Sequence, residues 1–493
     1  MSGLVLLLAL VLGGAAPLAS AAAPVSASAA EELLWKGNLG GAMEAARAAA
    51  AAAPQDVEKQ EMYLDILLTV GLPDIAATSA RERIAATPTD PDAHYLLARA
   101  LTEIGPARAE YERALKLDAD HARSHMGIAA LHVAAGRDDD ALAGYERAVK
   151  LDPSLAEAWI GAARIYIIRG DMPAAVATSR SALEAIRDEP TLYFLAAALE
   201  PQKAKAYLQS AVSVAPRDPS VHSGLADILL HDGDFEGAKA EAIRALAINP
   251  SLVDAQRLLV FSTELSRGLL DLPGYLELAG LHDSEGKEPQ AALTGYRALA
   301  ARYPRSGVVL LALGQLELAM GDRAAAGRDL ERAMAVEPDL LDIQLAYGMF
   351  ALSSGRPDVA RQWLERAWDA RPWDAALALG LGQTYKQLGE KDGARRVLAE
   401  AWSVHAWDAR VALAYAQALL DAGDAEGAYN VIREAARRIP DPQLGVALVS
   451  SAVAAGRYGE AAAIVEDLGR KTNNQSLLDS AAKLRQQAAA QGG

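Results

Sequence analysis

The chain has 493 residues, no cysteine and a formal net charge of -16, with Ala and Leu abundant and aromatics scarce. Acidic charge spread along the whole length repels phosphate and anionic lipid, which argues against a nucleic-acid or membrane-surface role. The absence of thiols excludes disulfides, thiolate metal ligands and cysteine lipidation.

Residues 1–23 carry an apolar run from Leu4 to Leu12, a Gly/Pro break, and small residues that include Ala19-Ser20-Ala21. This is the layout of a secretory signal with an A-x-A cleavage site, processed near Ala21 to Ala23, although no Lys or Arg precedes the apolar run. An uncleaved N-terminal anchor is the alternative. No other segment reads as a bilayer span. Arg far outnumbers Lys and Ala abounds, a bias that suggests a bacterial genome rich in GC, so the expected location is the periplasm.

From there a pattern recurs: an apolar helix closed by Gly plus a polar residue, a second helix with Ala at two fixed places, then Pro. The loop element reads Gly136-Arg137, Gly170-Asp171, Gly233-Asp234, Gly321-Asp322, Gly355-Arg356, Gly389-Glu390 and Gly423-Asp424. Closing prolines include Pro54, Pro88, Pro153, Pro216, Pro250, Pro304, Pro338, Pro372 and Pro440, and many of these spacings are 34 residues, as between Pro338 and Pro372. Gly tolerates the left-handed backbone that ends the first helix, and Pro cannot continue the second. Neither helix pair can bury its apolar face alone, so stacking must supply the core.

These residues resemble the tetratricopeptide repeat (TPR) family. The match runs through Trp159, Tyr166, Ala175 and Ala182; Ala141, Tyr145, Ala148 and Pro153; Tyr347, Gly348, Ala360 and Ala367; and Leu381, Gly382, Tyr385, Ala394 and Ala401. The resemblance implies an all-α, right-handed α-solenoid of about thirteen helix-turn-helix units that binds proteins. Unit starts fall at Ala23, Val57, Pro91, Ala122, Ala156, Pro190, Pro219, Leu272, Gly307, Leu341, Ala375, Ala409 and Pro442. Units at Pro91 and Pro190 are short because Gly105-Pro106 and Glu200-Pro201 compress the inner loop. The expected organisation is a signal at 1–23, a first stack at 23–252, an irregular joining helix at 253–271 with no partner, a second stack at 272–475, and a capping helix with its tail at 476–493.

No nucleophile elbow, phosphate loop, zinc-protease motif or cofactor signature stands out, so the expectation is a non-enzymatic chain without cofactor or metal. His121, His125 and His132 beside Asp138, Asp139 and Asp140 could be read as a metal site. His125 and His132 instead fall on packing positions, and the aspartates read as a solvated turn.

The resemblance implies that positions 2, 5, 9, 12 and 13 of each first helix line a concave groove. In the second stack these give Leu311, Gln315 and Leu318; Leu345, Met349 and Leu352; Leu379, Gln383 and Lys386; and Leu413, Gln417 and Leu420. A leucine stripe beside an amide ladder suits an extended or helical peptide, while the same leucines are equally placed to pack between units. Trp373 and Trp407 precede the helix caps Asp374 and Asp408 and read as hydrophobic staples, or alternatively as an aromatic contact for a partner. The expected function is a protein-binding scaffold or adaptor in a cell-envelope machine for polysaccharide export, secretion or surface motility. Its partners are other envelope proteins, with no nucleic acid, and membrane contact comes only through an uncleaved N-terminus or those partners. A membrane-tethered or glycan-associated binding protein is the second expectation.

Overall fold

The computed structural model describes residues 28–371, 374–439, 441–471 and 474–491. The signal segment, Pro372, Trp373 and Pro440 lie outside them. Among the described residues the chain forms twenty-eight α-helices and no strand. It divides into two compact units, the first ending at Ser306 and the second beginning at Gly307, one helix pair beyond the 253–271 stretch expected to be a joint.

The first unit opens with α1 (Ala29–Trp35) and α2 (Leu39–Ala52), α3 (Val57–Thr69) and α4 (Pro73–Ala86), and α5 (Pro91–Ala100) and α6 (Ile104–Leu117). It continues with α7 (Ala122–Ala134) and α8 (Asp138–Leu151), α9 (Ala156–Ile168) and α10 (Met172–Ala185), α11 (Pro190–Leu199) and α12 (Ala204–Val214), and α13 (Pro219–His231) and α14 (Phe235–Ile248). A helix without a hairpin partner, α15 (Val253–Ser266), precedes the pair α16 (Leu272–Ser284) and α17 (Pro289–Arg302). The second unit holds the pairs α18 (Gly307–Ala319) and α19 (Arg323–Val336), α20 (Leu341–Ser353) and α21 (Pro357–Ala370), α22 (Ala375–Leu388) and α23 (Lys391–Val404), α24 (Ala409–Asp421) and α25 (Ala425–Arg438), and α26 (Pro442–Ala454) and α27 (Tyr458–Lys471). It ends in α28 (Gln475–Gln491), packed on α27 with Ala481 buried.

Twelve of the thirteen expected starts coincide with the first residue of a first helix. The exception is the first: α1 begins at Ala29, not Ala23. The Ser28 hydroxyl accepts from the Glu31 amide, and the Glu31 carboxylate reaches back to the Ser28 amide, a reciprocal cap that sets the boundary there. Aspartates cap many of the others, Asp374 and Asp408 among them. All seven loop glycines carry positive φ, from 67° at Gly136 to 89° at Gly423, a region where an L side chain would be strained.

Three local expectations are corrected. Asp138, Asp139 and Asp140 form the first turn of α8 rather than a loop, where carboxylates favour the positive end of the helix dipole. Gly105-Pro106 also lies inside a helix, in the first turn of α6, where a proline needs no amide partner; the tight loop is Leu101 to Glu103. Finally, α15 lacks a hairpin partner but not packing: it lies against α13 and α14, and its Phe261 ring meets Tyr275 of α16 edge-on at 4.8 Å.

The core is built from the repeat itself. Ala141, Ala175 and Ala360, and the second alanines Ala148, Ala182, Ala367 and Ala401, are wholly buried. Gly314, Gly348 and Gly382 each face a leucine of their own second helix, Leu330, Leu364 and Leu398, so closely that a Cβ would lie 2.7–2.8 Å from it. Small residues thus let the two helices of a pair approach, and large ones fill the space between. Units are also pinned to one another: Tyr166 donates to Glu146 and Tyr385 to Glu365, one repeat-encoded hydrogen bond occurring in both compact units.

Candidate functional site

In the second unit the first helices α18, α20, α22, α24 and α26 each touch the next, whereas successive second helices approach one another less closely. The first helices therefore form the inner layer. Their position-nine side chains Gln315, Met349, Gln383 and Gln417 are all exposed along it. The expected leucine stripe sits deeper. Leu311 and Leu352 are buried, Leu318 is half-buried, and half-buried Leu345, Leu379, Leu413 and Leu420 pack against the core. The leucines are thus largely packing residues, and the ladder beside them faces solvent. Val446, at position five of α26, is 70% exposed.

Polar contacts cross the ladder. Gln417 donates to Asp421 at 2.8 Å, and the Lys386 ammonium, one repeat earlier, lies 3.2 Å from the same carboxylate. Burial opposes the charge on Asp421, but these two donors hold its carboxyl below the ordinary range. Met349 leans over the bare Cα of Gly380 on the next first helix.

The tryptophans are placed differently from one another. Trp368 and Trp402 are buried in the core. Trp407 is half-buried with its ring edge-on to His405 at 5.8 Å, and Trp373 lies outside the described residues.

The histidines do not converge. His121 caps α7, accepting from the Ser124 amide, and its other ring nitrogen is 3.0 Å from Asp92. His125 meets the Ala119 carbonyl at 3.0 Å, and His132 lies 3.7 Å from Asp140. Among the described residues no three His, Asp or Glu side chains come together as a metal site would require.

The same inner positions in the first unit carry charge, which the sequence reading did not single out. Glu61 on α3 accepts from the Tyr95 hydroxyl of α5 at 2.6 Å and from Arg123 of α7 at 3.3 Å. Arg99 of α5 bonds Asp65 of α3 at 2.7 Å. Burial pushes the Asp65 carboxyl up to about 6; Arg99 opposes this, while Glu157 of α9 and Glu61 add to it. Holding such a cluster against its own desolvation costs stability. Mapping positions 5 and 9 onto the units at Val57 and Pro91 would have exposed its centre, since these read Glu61, Asp65, Tyr95 and Arg99 where the second unit has Leu at position 5 and Gln or Met at position 9; Arg123 and Glu157 stand at position 2 of the next two units.

Tetratricopeptide repeat family models match residues 122–165, 195–259, 311–375 and 351–418. No curated protein matches the chain. Among solved structures, the Cut9–Hcn1 hetero-tetramer of the APC/C is 14% identical over 86% of this chain and 95% of its own, with a TM-score of 0.32. MamA is 24% identical over 33% of this chain and 96% of its own, at 0.23. A tetratricopeptide repeat protein from Parabacteroides merdae is 15% identical over 54% of this chain and 98% of its own, at 0.29. With family models matching stretches of both compact units, and the same helix pairs, glycine turns and buried alanines recurring through them, the chain belongs to the tetratricopeptide repeat family, an α-solenoid scaffold for protein–protein interaction.

Proposed function

We propose that the chain is a periplasmic scaffold or adaptor in a bacterial cell-envelope machine, of the kind that exports polysaccharide, secretes protein or drives surface motility. The observation that carries the binding surface is the exposed ladder Gln315, Met349, Gln383 and Gln417 along the inner layer of the second unit. Amides offer both donor and acceptor to a peptide backbone, and a methionine adapts its shape to an apolar side chain. The apolar segment Leu4 to Leu12 followed by Ala19-Ser20-Ala21 supports export. Among the described residues no helix is long and apolar enough to cross a membrane. The glycan-associated alternative finds little support, because Trp368 and Trp402 are buried and Trp407 is half-buried.

The test is in vivo photocrosslinking from Gln383 and Gln417, with exposed Glu112 on α6 as the control position, together with N-terminal sequencing of the mature protein. A discrete envelope protein attached through the ladder but not through Glu112, and a mature N-terminus near Ala21 to Ala23, are expected. Equal labelling from both positions rejects the ladder, and an intact Met1 rejects cleavage.

A further inference from the structure

The first unit returns on itself. Arg217, in the turn before α13 of the seventh helix pair, donates to Glu32 of α1 at 2.7 Å. Gly37, in the loop between α1 and α2, is seated against the turn after α14: a Cβ on it would lie 2.7 Å from the Ser251 hydroxyl and 3.1 Å from Asn249 Oδ1. That turn is itself held rigid, because Asn249 accepts from both the amide and the hydroxyl of Ser251. Gly37 also has φ of 74°, so both its backbone and its surroundings call for glycine. Seven helix pairs therefore close a full turn, joined by one ion pair and one loop seat.

The closure is slender beside the packing of neighbouring pairs. Arg217 and Glu32 are 61% and 33% exposed at their side chains, and such a pair shifts an equilibrium by no more than about fivefold. Inside the turn lies the charged inner face. Arg99 of α5 bonds Asp65 of α3, and Arg123 of α7 bonds Glu61 of α3, so charged contacts link three successive first helices along it.

We propose that α1 and α2 form a latch that closes the first unit into a ring and controls entry of an extended partner segment to its inner face. This rests on reading the inner face as a protein-binding surface, but the closure and the gating are testable without any partner. A segment too long to thread end-first can enter only when the Glu32–Arg217 and Gly37–Ser251 contacts open. Opening requires no repeat to unfold, since each helix pair keeps its own neighbours.

The chain has no cysteine, which makes the test clean. A Glu32→Cys/Arg217→Cys variant leaves Gly37 in its seat and puts one thiol on each side of the closure, within reach of a bis-maleimide. The reagent should bridge the two thiols within one chain, seen as a monomer carrying a single cross-linker; monomers that carry two singly attached cross-linkers overturn the ring. For gating, a single Ala130→Cys on the inner face of α7 is labelled with N-ethylmaleimide and with a maleimide carried at the midpoint of a long polyethylene-glycol chain, which has no reactive end to thread. Arg217→Glu should raise the ratio of the second rate to the first by about fivefold, and the exchanged pair Glu32→Arg/Arg217→Glu should restore it. An unchanged ratio overturns the latch. Because neither readout involves a partner, their failure is distinct from a failure of the scaffold reading.

Discussion

Replacing Gly348 by alanine tests whether small residues set the distance between the helices of a pair. Alanine gains about 1 kcal/mol of helix propensity over glycine. Its Cβ would lie 2.7 Å from Leu364 Cδ2 and 2.8 Å from Cγ, and Leu364 is wholly buried, with no room to swing aside. Overpacking of this kind costs about 1–3 kcal/mol, so the net effect should be destabilising by up to about 2 kcal/mol. Leu364→Ala alone should cost about 2–5 kcal/mol through the cavity it leaves. In that background the clash is gone, and Gly348→Ala should instead stabilise by about 1 kcal/mol. The assay is hydrogen exchange of the α20 and α21 amides across the four variants, because a repeat array can open locally before it unfolds globally. If Gly348→Ala has the same effect in both backgrounds, steric contact with Leu364 is not what keeps this position a glycine.

Gly445 in α26 faces open space, so Gly445→Ala should stabilise by about 0.5–1 kcal/mol in urea denaturation; a loss would mean that the space is filled in solution. Glu200 accepts from Arg180, Lys203 and Tyr207, which together bring its carboxyl down to about 2. Its contribution is therefore complete above the ordinary carboxylate range and lost as pH falls toward that value; Glu200→Gln should flatten the acid limb of stability against pH, and superimposable limbs would contradict the assignment. Asp65, pushed up to about 6, binds its proton more tightly folded than unfolded, so it should erode stability as pH rises from its ordinary 3.8 to that value. Carboxyl carbon NMR should show its titration near 6, and a midpoint below the ordinary value would refute the burial argument. Tyr385→Phe removes a hydrogen bond from a buried hydroxyl and should cost about 1–2 kcal/mol, whereas Tyr166→Phe, at a longer and more exposed contact, should cost less than about half as much; equal losses in thermal denaturation would show that burial does not set the difference.

Periodicity made the repeat legible because each unit reuses one local solution. Glycine with positive φ closes the first helix, proline follows the second, and alanine sits where two helices meet. These are choices a residue makes with neighbours inside about one repeat, so helix starts from Val57 to Pro442 could be read without coordinates. Boundaries decided by a single cap or a shortened loop were less legible, as at Ser28 and Gly105-Pro106, because there one hydrogen bond or one missing amide outweighs the pattern.

The sequence by itself determined the repeat and its register, and the family resemblance it carries supplied the inner positions of each first helix. Only the tertiary structure decided what those positions do. Leu345, Leu379 and Leu413 are apolar and occur at the inner position, yet the next repeat half covers them, and burial of that kind depends on how neighbouring pairs stack. The meeting of Glu32 with Arg217, or of Gly37 with Ser251, joins residues about two hundred positions apart. Such contacts arise from the summed rotation of seven stacked pairs. No single repeat encodes that sum, which is why the closed turn and the charged face within it became visible only in three dimensions.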